Sequence, residues 1–150
     1  MIEKAVILKR GKEESLQRFH PWIFSGAIQR IEGKPEEGDV VTVFTNDRKF
    51  IARGHVQVGS IAVRVLTFKD EPIDRQFWER RIATAYDLRE RTGISSREDN
   101  TTYRLVHGEG DLLPGLVIDI YERKAVVQCP DPVPRCPKCG KMVRPDVTLY

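Results

Sequence analysis

An α+β fold is what this sequence predicts: a small β pseudo-barrel, then one helix and a β-meander, ending in an irregular Cys/Pro-rich tail. Three observations carry the prediction. Short apolar runs broken by Gly, Pro and Asn-Asp turns crowd the first 69 residues, which is the pattern of closely spaced short strands. From Asp74 the apolar residues recur at three and four, the period of a helix face. Beyond Tyr103 short β-rich runs return, until Pro and Cys take over from Cys129.

In chain order, Ala5-Val6-Ile7-Leu8 is a continuous apolar run suited to a buried strand ending near Lys9, and Gly11 to Glu14 breaks it. Pro21 locks its own φ and pushes His20 toward an extended conformation, so Arg18 to Gly26 reads as a sharp turn into a short helical piece starting at Trp22. Gly33 to Gly38 is a charged turn. Asp39 to Phe44 follows as a strand, and Asn46-Asp47 is a hairpin tip. Phe50-Ile51-Ala52 and Ser60 to Thr67 are β-rich and separated by Gly54 and Gly59, for five or six strands in all. Asp74, behind Pro72, caps the one long helix, whose face is Phe77, Trp78, Ile82, Ala85, Tyr86 and Leu88 and whose stop is Thr92-Gly93. Phe77, Trp78 and Tyr86 read as core packing. Tyr103 to His107, Leu116 to Tyr121 and Ala125 to Gln128 form the meander, with the glycine-rich Gly108 to Gly115 and Glu122-Arg123-Lys124 as its turns.

Composition excludes little. Of the 150 residues, 25 are basic and 22 acidic, a formal +3 that permits a polyanion partner only through a local basic patch. No apolar run approaches the ~20 residues of a membrane span, and Met1 to Lys4 leads straight into a strand, so a soluble cytoplasmic protein is expected. The three cysteines, Cys129, Cys136 and Cys139, lie at one end, which argues against a disulfide framework. Gly108-Glu109-Gly110 invites a phosphate-loop reading, but position 113 is Leu113 where a dinucleotide fingerprint needs glycine. Strand-like residues follow it, and no Gly-Lys-Ser/Thr ending is present. It reads as a structural turn.

Arg18 to Ile28, Phe50 to Gly54, Glu71-Pro72-Ile73-Asp74 and above all Tyr103 to Tyr121 resemble the N-terminal part of the bacterial large-subunit ribosomal RNA methyltransferase I family over residues 1 to about 128. His107-Gly108-Glu109-Gly110-Asp111 with Leu113-Pro114-Gly115-Leu116 is the specific motif. The resemblance implies an RNA-binding PUA domain over 1–70 and a linking helix-plus-meander region over 71–128. In the family these precede a Rossmann-like domain that uses S-adenosylmethionine to methylate cytosine at carbon 5. The family's cofactor loop, acidic ribose contact and catalytic cysteine lie beyond the matched stretch. A chain with none of them is expected to hold no cofactor and to be inactive alone, an RNA-binding fragment of its parent enzyme.

Structured ribosomal RNA is then the expected partner. Lys9, Arg10, Lys12 and Arg18 are candidates for phosphate contacts, and His20 and Trp22 for packing on sugar or base. Trp22 reads equally as a core anchor, and His20 as a turn-holding backbone bond. Arg53 and Arg64 lie in strands and either share that groove or face water. In the tail of residues 129–150, Cys136-Pro137-Lys138-Cys139-Gly140 is a zinc-knuckle spelling, with Cys136 and Cys139 as candidate ligands. Residues 134–150 resemble half of a sirtuin zinc module. The alternative is therefore a fusion or misassembled chain with no activity of its own, and a disordered tail with reducible thiols is the plainer reading of the cysteines.

Overall fold

Ala5-Val6-Ile7-Leu8 becomes the central element of the first half of the chain. In the computed structural model, which describes residues 4–128 and 148–149, these residues form β1 (Ala5–Leu8), buried at every position. A strand buried on both faces needs no polar alternation, which is why its sequence is uniformly apolar. It runs parallel to β4 (Val40–Phe44) and antiparallel to β3 (Ile28–Glu32).

Two compact units divide the chain, Met1–Pro72 and Ile73–Tyr150. The first adds α1 (Glu14–Gln17), β2 (Trp22–Phe24), β5 (Phe50–Val56) and β6 (Ile61–Thr67). Its six-stranded sheet has the order β2-β6-β5-β4-β1-β3. The edge strands β2 and β3 are joined by a 3-10 turn, Ser25–Ala27. Five spacings of about 4.8 Å would place the edges of a flat sheet about 24 Å apart, whereas the chain from Phe24 to Ile28 spans at most about 14 Å. The sheet therefore has to curl so that its edges approach each other, which makes the pseudo-barrel. Val6, Leu8, Val41, Val43, Val63 and Val65 point inward at alternate positions, and Leu16 of α1 and Ile23 of β2 complete the core.

Two local expectations give way here. Trp22 does not begin a helical piece: the carbonyl of Pro21 accepts a bond from the Val65 amide at 2.7 Å, and Trp22 and Ile23 pair with Arg64 and Val63 of β6. Proline, which has no N–H to offer, suits the start of an edge strand. Gly54 does not break β5 either. It lies inside the strand, where a Cβ would collide with the carbonyl oxygen of Arg64 and the Val63 side chain.

The second unit opens with α2 (Arg75–Arg91). Asp74 caps it, its Oδ1 accepting from the Phe77 amide at 2.9 Å. Gly93, at φ +74°, ends it, with Ile94 N–H bonded to Arg89 and Gly93 N–H to Glu90, the Schellman pattern. The meander is β7 (Thr102–His107), β8 (Val117–Tyr121) and β9 (Lys124–Gln128), extended by β10 (Thr148–Leu149) into a four-stranded antiparallel sheet. Ala85, with Ile82 and Trp78 one and two turns earlier, packs on Val106, Leu113 and Ile118. Phe77 is buried with Trp78 edge-on. Tyr86 and Leu88 lie off that face and are exposed, unlike their neighbours in the expected stripe. No helix among the described residues is long and apolar enough to cross a membrane.

Candidate nucleic-acid interface

β2 is an edge strand whose middle residue, Ile23, points into the core, so Trp22 and Phe24 on either side of it face outward. The register places Arg64 of β6 opposite Trp22, and His55 of β5 opposite Arg64. The Arg64 guanidinium carbon sits 5.5 Å over the Trp22 ring, a cation–π contact, and its Nε donates to Gln57. His20 meets Trp22 edge to face at 5.9 Å, and Phe24 meets Trp22 likewise at 6.5 Å. His20 Nδ1 lies 3.2 Å from both the amide nitrogen and the carbonyl oxygen of Trp22, so either tautomer finds a partner and holds the turn. Trp22 is thus a half-buried ring with one face under a guanidinium and its surroundings occupied by His20 and Phe24. Phe24 is the more open of the two, 48% exposed.

The cations of this unit separate by partner. Lys4 pairs with Asp39 at 2.6 Å, Lys49 with Asp47 at 3.0 Å, and both Arg30 and Arg48 with Glu32. The hydrogen bond from Arg30 leads the causes that hold the Glu32 carboxyl below its ordinary value; burial opposes it and Arg48 adds to it. Arg53, a candidate from sequence, donates to Asp70 at 2.6 Å. By contrast Lys9, Arg10, Lys12 and Arg18 are exposed and have no carboxylate partner among the described residues. Lys9 Nζ donates instead to the carbonyl of Gly26 at 2.9 Å, which ties the segment after β1 to the turn after Phe24 and leaves the lysine charge uncompensated. Lys34 and Lys69 are also exposed without a carboxylate partner among the described residues, but Lys9, Arg10, Lys12 and Arg18 are grouped between β1 and β2 and lead into the aromatic cluster. Glu13 and Glu14 in the same segment offset only part of that charge.

Sequence reasoning missed Phe19. α1 ends with Phe19 N–H bonded to the Leu16 carbonyl at 2.9 Å and His20 N–H to the Ser15 carbonyl at 3.0 Å, a Schellman motif in which Phe19 holds the left-handed position at φ +62°. A side chain there costs about 1–2 kcal/mol relative to glycine. The Phe19 ring is 72% exposed, held edge-on by Phe68 at 5.3 Å. Lys34, Arg48, Leu112 and Glu122 share the positive φ, but Phe19 is the aromatic among them. The available signal was a non-glycine residue at the end of a short helix, which is visible only once α1 is known to exist.

The second unit places the His107 to Asp111 motif as a tight turn between β7 and β8. Asp111 accepts from the His107 amide at 2.6 Å and forms a two-pronged pair with Arg89 of α2, whose Nε also donates to the Arg104 carbonyl. Burial pushes the Asp111 carboxyl up, but the Arg89 and His107 bonds outweigh it and hold it below the ordinary range. The turn does not fit an S-adenosylmethionine cradle. It is a 3-10 turn between antiparallel strands, and the Gly108, Leu112 and Leu113 amides are bonded to its own carbonyls or to that of Leu116. No cluster of three or more metal-ligating side chains occurs among the described residues. Cys136 and Cys139, the zinc reading and the sirtuin-like stretch lie outside the described residues, apart from the backbone of β10.

Residues 6–68 match the family of PUA-like domains. The chain is 44% identical over 126 residues to Ribosomal RNA large subunit methyltransferase I of Aeromonas hydrophila, covering 83% of this chain and 31% of that protein. It is 42% identical over 125 residues to the protein of the same name from Vibrio cholerae, covering 83% and 31%, and 46% identical over 123 residues to that of Shewanella amazonensis, covering 81% and 31%. The chain thus spans about a third of the length of the curated relatives it matches. Among solved structures, a Streptococcus mutans protein provisionally titled a SAM-dependent methyltransferase shares the fold at a TM-score of 0.69 and 17% identity, covering 85% of this chain and 32% of that one. A second, a methyltransferase structure complexed with SAH, superposes at a TM-score of 0.68 and 18% identity, with coverage of 85% and 32%.

Proposed function

Residues 1 to about 128 are the N-terminal part of the Ribosomal RNA large subunit methyltransferase I family, with a PUA-like domain over 6–68, and from this we propose that the first unit grips structured ribosomal RNA on behalf of a methyltransferase. The observation that carries this reading is the sorting of the cations. Those on β3, the β4–β5 hairpin and β5 are matched by carboxylates, whereas Lys9, Arg10, Lys12 and Arg18 are not. Exposed, uncompensated cations beside an aromatic cluster are what a phosphate backbone and its bases require. In this reading Lys9, Arg10, Lys12 and Arg18 contact phosphates. His20 and Trp22 shape the surface, with Arg64 bracing Trp22, and Arg53 is a secondary contact because Asp70 competes for it. The methyl transfer itself, from S-adenosylmethionine to carbon 5 of a cytosine, belongs in this proposal to a part of the protein other than residues 1–128. The chemistry agrees: cytosine C5 methylation needs a thiolate to add at carbon 6, and residues 1–128 contain no cysteine.

Filter binding of ribosomal RNA across a salt series tests the proposal. Log affinity falls linearly with log salt, Arg18→Ala flattens the slope by about one, and Arg48→Ala, which removes a cation already paired with Glu32, leaves it unchanged. Binding that ignores salt, or equal flattening by both substitutions, refutes the reading.

A further inference from the structure

Phe19 stands apart from the other aromatic residues of its unit. Trp22 is engaged by Arg64, whereas Phe19 is 72% exposed and makes a single T-shaped ring contact, with Phe68, among the described residues. Its backbone position is one that glycine fills at lower cost, and this chain uses glycine for the same role at the end of α2, where Gly93 closes an equivalent pair of bonds. A side chain that strains the backbone and leaves most of its apolar surface in water is not there for stability. Its neighbours in the chain are Arg18, an uncompensated cation, and His20, which belongs to the Trp22 cluster. The positive charge of this segment selects a polyanion as the occupant, and an exposed ring beside phosphate-binding cations is the arrangement that stacks on bases.

We infer that Phe19 is the stacking residue of the interface, taking an unpaired nucleobase of the RNA against its open face. The inference rests on the RNA-binding reading above and reassigns the base contact from Trp22, whose ring is already engaged, to Phe19. Paired bases are covered by their own neighbours in a duplex, so Phe19 discriminates for bulged or looped nucleotides and not for a continuous helix.

The test uses the intact chain, an RNA duplex carrying one bulged 2-aminopurine, and the same duplex fully paired. The bulged base is quenched when the unaltered protein binds. Phe19→Gly lowers affinity for the bulged RNA by about tenfold, abolishes the quenching and leaves both the salt slope and the affinity for the paired duplex unchanged, while its thermal midpoint is no lower than that of the parent. Phe19→Leu, which keeps bulk at the strained position but has no aromatic face, shows the same loss of affinity, and Phe19→Tyr restores it. Parent-like affinity of Phe19→Gly and Phe19→Leu for the bulged RNA overturns the inference, as does an equal loss on the paired duplex. Those results leave the RNA-binding reading standing, since that reading is decided by the salt-sensitive binding of the unaltered protein and by the slopes of Arg18→Ala and Arg48→Ala.

Discussion

Gly54 shows how one missing side chain permits a fold. β5 and β6 approach so closely at this point that a Cβ would strike the Arg64 carbonyl and the Val63 side chain, both parts of an inner strand that cannot withdraw without disturbing the core. Gly54→Ala is therefore expected to destabilise the first unit by about 1–3 kcal/mol, the usual cost of overpacking, read as a lower urea midpoint with an unchanged slope. In sequence Gly54 looked like punctuation, because a glycine within a β-rich run marks either a break or a close approach. Only the neighbouring strand distinguishes the two. Phe19 has the same character: its residue type was plain, but its positive φ depends on a one-turn helix too short to leave an apolar period. Arg53 and Arg48 were legible as cations, while their carboxylates, Asp70 and Glu32, lie 17 and 16 residues away in sequence.

At the scale of elements, α2 and the β7–β8 turn are locked together by Arg89 and Asp111. Their side chains are 12% and 5% exposed, and the carboxylate also satisfies the His107 amide. Removing one partner of such a pair leaves the other charge buried alone, so Arg89→Ala is expected to cost about 3–5 kcal/mol in urea unfolding at neutral pH. The Asp111 carboxyl is held below its ordinary value in the folded protein. Its contribution is therefore complete above the unfolded value, about pH 4, and is lost as pH falls through the lower folded value. Asp111→Asn should accordingly destabilise the protein at neutral pH, and its deficit relative to the parent should shrink progressively below about pH 4; a deficit independent of pH would contradict this account. The helix itself was readable from Asp74 and Gly93, since caps and stops are written in residues next to the element they bound. The lock was not, because its partners are 22 positions apart and the motif around Asp111, though specific, carries no local sign that Arg89 is its partner.

At the scale of the molecule, the first unit makes its core from its own strands and α1, and the curled sheet closes through the three-residue turn between β2 and β3. A protein of residues 1–72 is thus expected to give a strand-rich circular dichroism spectrum with a cooperative thermal transition, and to keep the salt-dependent RNA binding of the whole chain; an unfolded product would show that the unit depends on the rest. By itself the sequence determined the α+β class, the strand-rich first half, the capped helix, the meander and the family. Each of these is encoded in periodicity, turn residues or motifs that span a few neighbouring positions. Tertiary structure alone decided which strand lies next to which, that Trp22 belongs to an edge strand, that Trp22 is covered while Phe19 is open, and which cations remain uncompensated. These outcomes depend on contacts between residues far apart in the chain, made when the sheet curls and brings its edges together, and no local run of residues carries a record of them.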